Sequence, residues 1–346
     1  MSKKMWRVGM IGAGAWSEIQ LNAWAGVKNA EVVALCDRHP ERRDPVIRRF
    51  NIPQGFDDFE SMLDNAELDL VDICTRPYSH ASLSKMTAER GLAVLCQKPF
   101  CTSMEEAKEV VEVCDRAGVR LMVNENWRWH AWHRKAKELL DSGALGKPFL
   151  VTIRWRLRMT LPGFDFNQGY FLEMERFITY EMGVHYLDTL RYLFGEPNFV
   201  FARHHRLGPD MKGEDVNVLV VAYDDMTCAI DTSFASVEVP GVDKLEENPD
   251  TWAPSQFRIE GTEGTLILGV DRSLTLVTDT DRQEWQFPSE TILESFVSAQ
   301  QHFIDCLESG TEFETSGSET LKTMALVYAC YRSAEEERPV DPKEFL

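Results

Sequence analysis

Trp6-Arg7-Val8-Gly9-Met10-Ile11-Gly12-Ala13-Gly14-Ala15-Trp16-Ser17 is the stretch that decides the fold. Residues 7–11 are a short apolar run of β character, glycines follow at once, and a helical pattern runs over 17–27. A strand that enters a glycine turn and leaves it as a helix is the setting in which G-x-G-x-x-G holds a dinucleotide. Gly12 permits the tight turn, and Gly14 lets the backbone approach a pyrophosphate. The helix N-terminus offers unpaired N–H groups and a partial positive charge. Ser17 stands where a third Gly or Ala is usual, and a glycine-rich turn without a ligand is the plainer alternative. Asp37 closes the second apolar run, 23 residues beyond Gly14. An acid there accepts hydrogen bonds from the adenosine ribose hydroxyls of NAD and opposes the extra phosphate of NADP. Arg38, Arg42 and Arg43 follow it and could hold that phosphate, so NAD is the expected cofactor and NADP the alternative.

Outward from this stretch, strand-like runs at 31–36, 70–74, 93–96 and 119–123 alternate with helical patterns at 41–50, 79–90 and 104–117. Such alternation predicts right-handed βαβ units and a parallel sheet. The runs are apolar throughout, as expected of strands covered on both faces. After residue 124 the pattern changes. A helix at 133–142 precedes strand-like runs at 149–157, 217–222, 228–237, 256–260, 265–268 and 273–277, with one helix at 182–193 among them. Without crossover helices these predict a mostly antiparallel sheet. Helices at 291–308 and 316–337 close the chain, and residues 240–254, with three prolines, form the most loop-like stretch.

Composition narrows the function. Over 346 residues, 37 Lys and Arg face 56 Asp and Glu, a net charge of −19, which repels nucleic acid and anionic lipid. The eight cysteines are scattered with no CxxC pair, so neither a zinc ribbon nor a redox motif is expected. The short apolar run ahead of Gly12 meets glycines too soon for a signal peptide, and no run of about 20 apolar residues could span a membrane. A reduced, cytoplasmic protein is expected, with no metal site.

Further motifs follow in order: Thr75-Arg76-Pro77-Tyr78-Ser79-His80, Gln97-Lys98-Pro99, Asn126-Trp127-Arg128-Trp129 and Glu181-Met182-Gly183-Val184-His185-Tyr186-Leu187-Asp188. With Gly12-Ala13-Gly14, and with later segments at 190–196 and 261–265, the chain resembles the Gfo/Idh/MocA family of oxidoreductases over nearly its whole length. The resemblance implies an α/β fold: an N-terminal Rossmann parallel sheet over 1–124, then a substrate-binding and oligomerisation α+β domain over 125–346 with an open-faced, mostly antiparallel sheet. It implies hydride transfer between NAD(P) and a sugar or polyol carbon, and a homodimer or homotetramer. The family's catalytic Lys falls at Lys98, its Asp-x-x-x-His pair at Glu181 and His185, and its Lys-Pro bond is often cis. The expected cofactor contacts are Gly12, Ala13, Gly14, Ala15, Trp16, Asp37, Arg38, Thr75, Arg76, Pro77, His80, Gln97, Lys98 and Asn126. The chain departs from the family at Gln97, where Glu is usual, and at Glu181, where Asp is usual.

The residues themselves support the same chemistry. Lys98 follows the fourth strand, at the carboxyl edge where ligands sit in open α/β sheets. Glu181 and His185 are four apart, so a helix would put them on one face; an ordinary helix pair is the bland alternative. His titrates near neutrality and suits general base work, Lys98 could stabilise a developing alkoxide, and Glu181 could orient the imidazole. Arg154, Arg156 and Arg158 alternate along one strand and share a face. Together with Trp127 and Arg128 they suggest contacts to an anionic sugar, against the alternative of a face paired with this chain's many acids. Trp129, Trp132 and Tyr170 are sugar-stacking candidates or core. Two other functions stay open: a redox-assisted glycoside hydrolase, eliminase or isomerase that retains NAD, and a noncatalytic nucleotide-binding sensor.

Overall fold

β1 (Trp6–Ile11) runs through the glycine turn into α1 (Ala15–Trp24), as the opening stretch predicts. The structure is a computed structural model, and it describes residues 4–161, 169–237, 256–287 and 292–346. The loop-like stretch 240–254 lies outside the described residues.

The alternation continues through β2 (Ala30–Cys36), α2 (Pro40–Phe50), β3 (Gln54–Phe56), α3 (Phe59–Asn65), β4 (Leu70–Ile73), α4 (Pro77–Glu89), β5 (Ala93–Gln97), α5 (Met104–Ala117) and β6 (Leu121–Asn124). The strands form one sheet in the order β3-β2-β1-β4-β5-β6, every pair parallel. The order reverses direction between β1 and β4, the switch point at which such sheets bind ligands. β4, β5 and β6 are buried at every position, which accounts for their mostly apolar composition. Local chemistry sets the helix ends. Ser103 caps α5 by accepting the Glu106 N–H at 3.1 Å, and Gly118 ends it in the left-handed conformation at φ 65°.

The remaining elements are α6 (Ala131–Asp141), β7 (Pro148–Arg156), α7 (Tyr170–Glu173), α8 (Gly183–Phe194), β8 (Phe199–His205), β9 (Val216–Ala222), β10 (Thr227–Ser233), β11 (Gln256–Gly261), β12 (Gly264–Leu268), β13 (Leu274–Thr278), β14 (Arg282–Trp285), α9 (Ile292–Ser309) and α10 (Gly317–Glu336). A 3-10 turn spans Asn126–Trp129, and a π-helical turn, Ile178–Met182, precedes α8. The second sheet has the order β14-β13-β12-β11-β7-β10-β9-β8, and all its pairs are antiparallel except β7 with β10. Along β7, Val151, Ile153 and Trp155 are buried while Thr152 and Arg154 are exposed. One face is therefore core and the other carries the arginines. Among the described residues no helix is long and apolar enough to cross a membrane.

The chain divides into two compact units, Met1–Trp129 with Ile292–Met324 and His130–Thr291 with Ala325–Leu346. Residues 292–324, which lie beyond the expected boundary at 124, thus group with the first unit. Ala299, Phe303 and Ile304 of α9 share a core cluster with Val8, Leu70 and Leu95 of the parallel sheet. Burying one such Phe contributes about 2–3 kcal/mol, so α9 belongs with the sheet it covers rather than with its neighbours in sequence.

Candidate active site

In the first unit, β1, β2, β4, β5 and β6 end level: Ile11 is in register with Cys36 and Ile73, Ile73 with Cys96, and Gln97 with Asn124. The glycine turn, Asp37, Thr75-Arg76-Pro77, Lys98 and Asn126 thus follow the carboxyl ends of neighbouring strands, and the sheet collects them on one edge. Gly12 has φ 106°, and a Cβ there would overlap the Cys74 carbonyl oxygen, so only glycine fits. Gly14 is different. It is exposed, and a Cβ on it would meet nothing within 4 Å. The space in front of it is open to a ligand. Ser17, in the third glycine's place, turns its hydroxyl back to the Gly14 carbonyl at 2.5 Å and leaves that approach clear. Ala13 is buried, Ala15 exposed and Trp16 half-buried, edge-on to Phe296.

Asp37 is held by the backbone: its oxygens accept the Ala13 N–H at 2.8 Å and the His39 N–H at 2.9 Å. A carboxylate has about four acceptor positions, so room remains for two ribose hydroxyls. Arg38 is exposed, its Nε 3.2 Å from His39 Nε2. These features fit an adenine dinucleotide. A Gly14→Val substitution is expected to leave the melting temperature within about 2 °C, because its side chain points into open space. The same side chain would weaken NADH binding at least tenfold in a fluorescence titration. Parental affinity would place the pyrophosphate elsewhere.

Lys98 is half-buried, its bond to Pro99 is cis, and its N–H donates to Gln97 Oε1 at 2.9 Å. Gln97 is buried, and its Nε2 has no hydrogen-bond partner among the described residues. The carboxamide in the family's Glu position thus folds onto the backbone of the lysine. His80, expected to line the cofactor, is instead fully buried. Its Nδ1 lies 2.9 Å from the Pro99 carbonyl and its Nε2 3.0 Å from that of Thr75, so it ties the Lys98 loop to the Thr75 loop. Burial pushes its pKa down. Thr75 pairs its hydroxyl with Ser79 at 2.8 Å, Arg76 is exposed and Pro77 starts α4. Asn126 donates to Ser295 Oγ at 2.6 Å, Trp127 is half-buried, and buried Arg128 donates to the Glu314 carbonyl at 2.9 Å.

In the second unit, Glu181 lies in the π-helical turn at 2% exposure and His185 in the first turn of α8 at 5%. The arginine face, where an anionic sugar is the expectation, also carries an acid. Arg156 pairs with the Asp231 carboxylate and donates to the Asp231 carbonyl at 2.7 Å. Arg154 lies opposite the same aspartate in register, and Arg158 is half-buried opposite Ala235. One carboxylate on the next strand thus faces both Arg156 and Arg154. Trp129 packs in the core cluster and Trp132 stacks on His130 with ring centroids 4.3 Å apart. Both serve packing, and Tyr170 lies 4.4 Å from the ring of Phe171. Among the described residues no cluster of His, Cys, Asp or Glu could hold a metal ion.

Among the buried acids that the sequence reading did not single out are Asp72 and Glu214. Asp72 interrupts the apolar run of β4, a visible signal, and accepts Trp24 Nε1 at 2.8 Å. Glu214 follows Gly213 just ahead of β9 and carries no pattern that marks it.

Residues 6–125 match the oxidoreductase family with an NAD-binding Rossmann fold, and residues 133–267 match the GFO/IDH/MocA C-terminal domain. The chain is 36% identical over 353 residues to a D-apiose dehydrogenase of Paraburkholderia graminis, covering 98% of this chain and 90% of the relative. It is 25% identical to an inositol 2-dehydrogenase of Rhizobium meliloti, covering 96% and 98%. Among solved structures, an oxidoreductase from Agrobacterium radiobacter in complex with NAD+, L-tartaric acid and magnesium superposes with a TM-score of 0.90 at 34% identity, covering 99% of this chain and 100% of that one.

Proposed function

Because the chain belongs to the Gfo/Idh/MocA oxidoreductase family, we propose that it is an NAD-dependent dehydrogenase of a sugar, polyol or sugar acid, with the branched pentose D-apiose as the first candidate substrate. The full-length likeness to D-apiose dehydrogenases carries this reading. NAD, when bound, supplies the hydride acceptor. The turn at Gly12–Ala15 and the N-terminus of α1 would hold the pyrophosphate, and Asp37 the adenosine ribose. His185 removes the proton from the substrate hydroxyl. Lys98 donates a hydrogen bond to the same oxygen as negative charge develops on it. Glu181 steadies the imidazole as it becomes charged. A net dehydrogenase releases one NADH per product, whereas a redox-neutral enzyme would not.

The test is absorbance of reduced nicotinamide across D-apiose, neutral hexoses, inositols, uronates and aldonates. D-apiose is expected to give the highest kcat/KM, with stoichiometric NADH. Product without NADH would sink the dehydrogenase reading, and a preference for uronates would point to the arginine face as a binding surface. In the same preparation, light scattering is expected at two or four times 39.6 kDa, since the open face of the second sheet exposes Phe199 and Val218.

A further inference from the structure

The turn Ile178–Met182 carries Glu181 and delivers the chain into α8, where His185 sits. The first N–H groups of a helical segment have no partner within it, and no residue at this N-terminus caps it with its own side chain. All four nearest N–H groups are nonetheless satisfied, and by one locus. Phe177 N donates to Glu214 Oε2 at 3.2 Å and Thr179 N to Glu214 Oε1 at 3.0 Å. Ile178 N donates to the Glu214 carbonyl at 3.0 Å, and Tyr180 N to the Tyr331 hydroxyl at 3.1 Å. Tyr331 in turn donates to Glu214 Oε1 at 2.5 Å.

Glycine makes this reach possible. A Cβ on Gly213 would stand 2.7 Å from the Met174 carbonyl oxygen and 3.0 Å from Phe177 N, so any larger residue would push Glu214 away from the turn. The following residues extend the hold. Asn217 Nδ2 donates to Thr179 Oγ1 at 2.9 Å and to the Tyr186 hydroxyl at 2.7 Å. The Thr179 hydroxyl also pairs with His204 Nε2 at 3.0 Å. Burial and then the Glu214 charge push the Tyr331 hydroxyl well above its ordinary pKa, which keeps it a donor. Glu214 is 8% exposed, and a buried carboxylate with three donors is a stiff anchor.

We infer that Glu214, with Tyr331 as its donor, is a positioning residue that fixes the π-helical turn and so sets where Glu181 and His185 present their side chains. This rests on the reading of His185 as the base. A glutamine at 214 keeps the shape but has one acceptor oxygen, and its amide hydrogens would oppose those of the turn.

Glu214→Gln and Tyr331→Phe, with His185→Ala as reference, are compared for kcat with D-apiose and NAD, for NADH affinity, for melting, and for the His185 ring signals in NMR, assigned by their loss in H185A. E214Q is expected to lower kcat at least tenfold and to shift the His185 signals, with NADH affinity within twofold of the parent. Y331F is expected to do the same more weakly. Parental kcat and unmoved His185 signals in a folded E214Q, or in a folded Y331F where E214Q melts below the assay temperature, would overturn the inference. A kcat loss matched by an equal loss of folded protein would overturn it too. An H185A enzyme with parental turnover removes the base reading and this inference with it. An inactive H185A beside an unaffected E214Q removes the positioning role alone.

Discussion

Lys98→Ala and His185→Ala are each expected to lower kcat by about 10²- to 10⁴-fold, or roughly 3–5 kcal/mol of transition-state stabilisation. The two losses differ in kind. In the proposed reaction Lys98 would contribute a hydrogen bond that strengthens only as the alcohol oxygen gains charge, so K98A should lower kcat and kcat/KM together. In the same proposal His185 would contribute a place for the proton. H185A is therefore expected to recover rate as imidazole is added. The decisive measurement is the double variant. If both groups serve one oxygen, removing the second costs far less than removing it from the parent. Losses that multiply would assign the two residues to separate events, and a single variant with parental turnover would falsify its role outright.

The parts of the fold legible in the sequence are those in which burial is written as pattern. β4, β5 and β6 are buried on both faces, and their apolar runs announce it. β3, Gln54-Gly55-Phe56, and β14, Arg282-Gln283-Glu284-Trp285, are edge strands of their sheets and carry no such run. Hydrogen bonds to one neighbour define them, and periodicity does not report those. The π-helical turn was equally silent, since over five residues the spacing of apolar side chains does not separate it from an α-helical turn. The cofactor edge was legible because glycine spacing and strand ends are both local. Roles set by tertiary partners were not. Arg156 and Lys98 are both basic residues at strand ends, and the sequence does not show that Arg156 meets Asp231 of the next strand. His80 looked like a lining residue because its neighbours in sequence line the edge, yet it faces inward to two carbonyls.

Asp72→Asn is expected to change stability in opposite directions at the two ends of the pH scale. Asp72 is 0% exposed in the middle of the parallel sheet. One of its oxygens accepts Trp24 Nε1 at 2.8 Å, and the other has no hydrogen-bond partner among the described residues. Burial pushes its pKa from 3.8 up to about 7. Between those values the folded protein keeps a proton that the unfolded chain releases. Stability from this group is therefore complete below pH 3.8 and is lost as pH rises through about 7. At about 1.4 kcal/mol for each unit the full loss is roughly 4 kcal/mol. Asparagine does not titrate. Its Oδ1 can still accept from Trp24, while its Nδ2 sits without a partner and costs about 1–3 kcal/mol at every pH. The variant should thus be less stable than the parent at pH 4 and more stable at pH 8, the two urea-unfolding series crossing between. Curves that stay parallel from pH 4 to 8 would mean that Asp72 holds the same charge folded and unfolded. The cost in the parent marks what the carboxyl contributes: it fixes the indole of α1 to β4, and α1 is the helix whose N-terminus meets the dinucleotide in the proposed reaction.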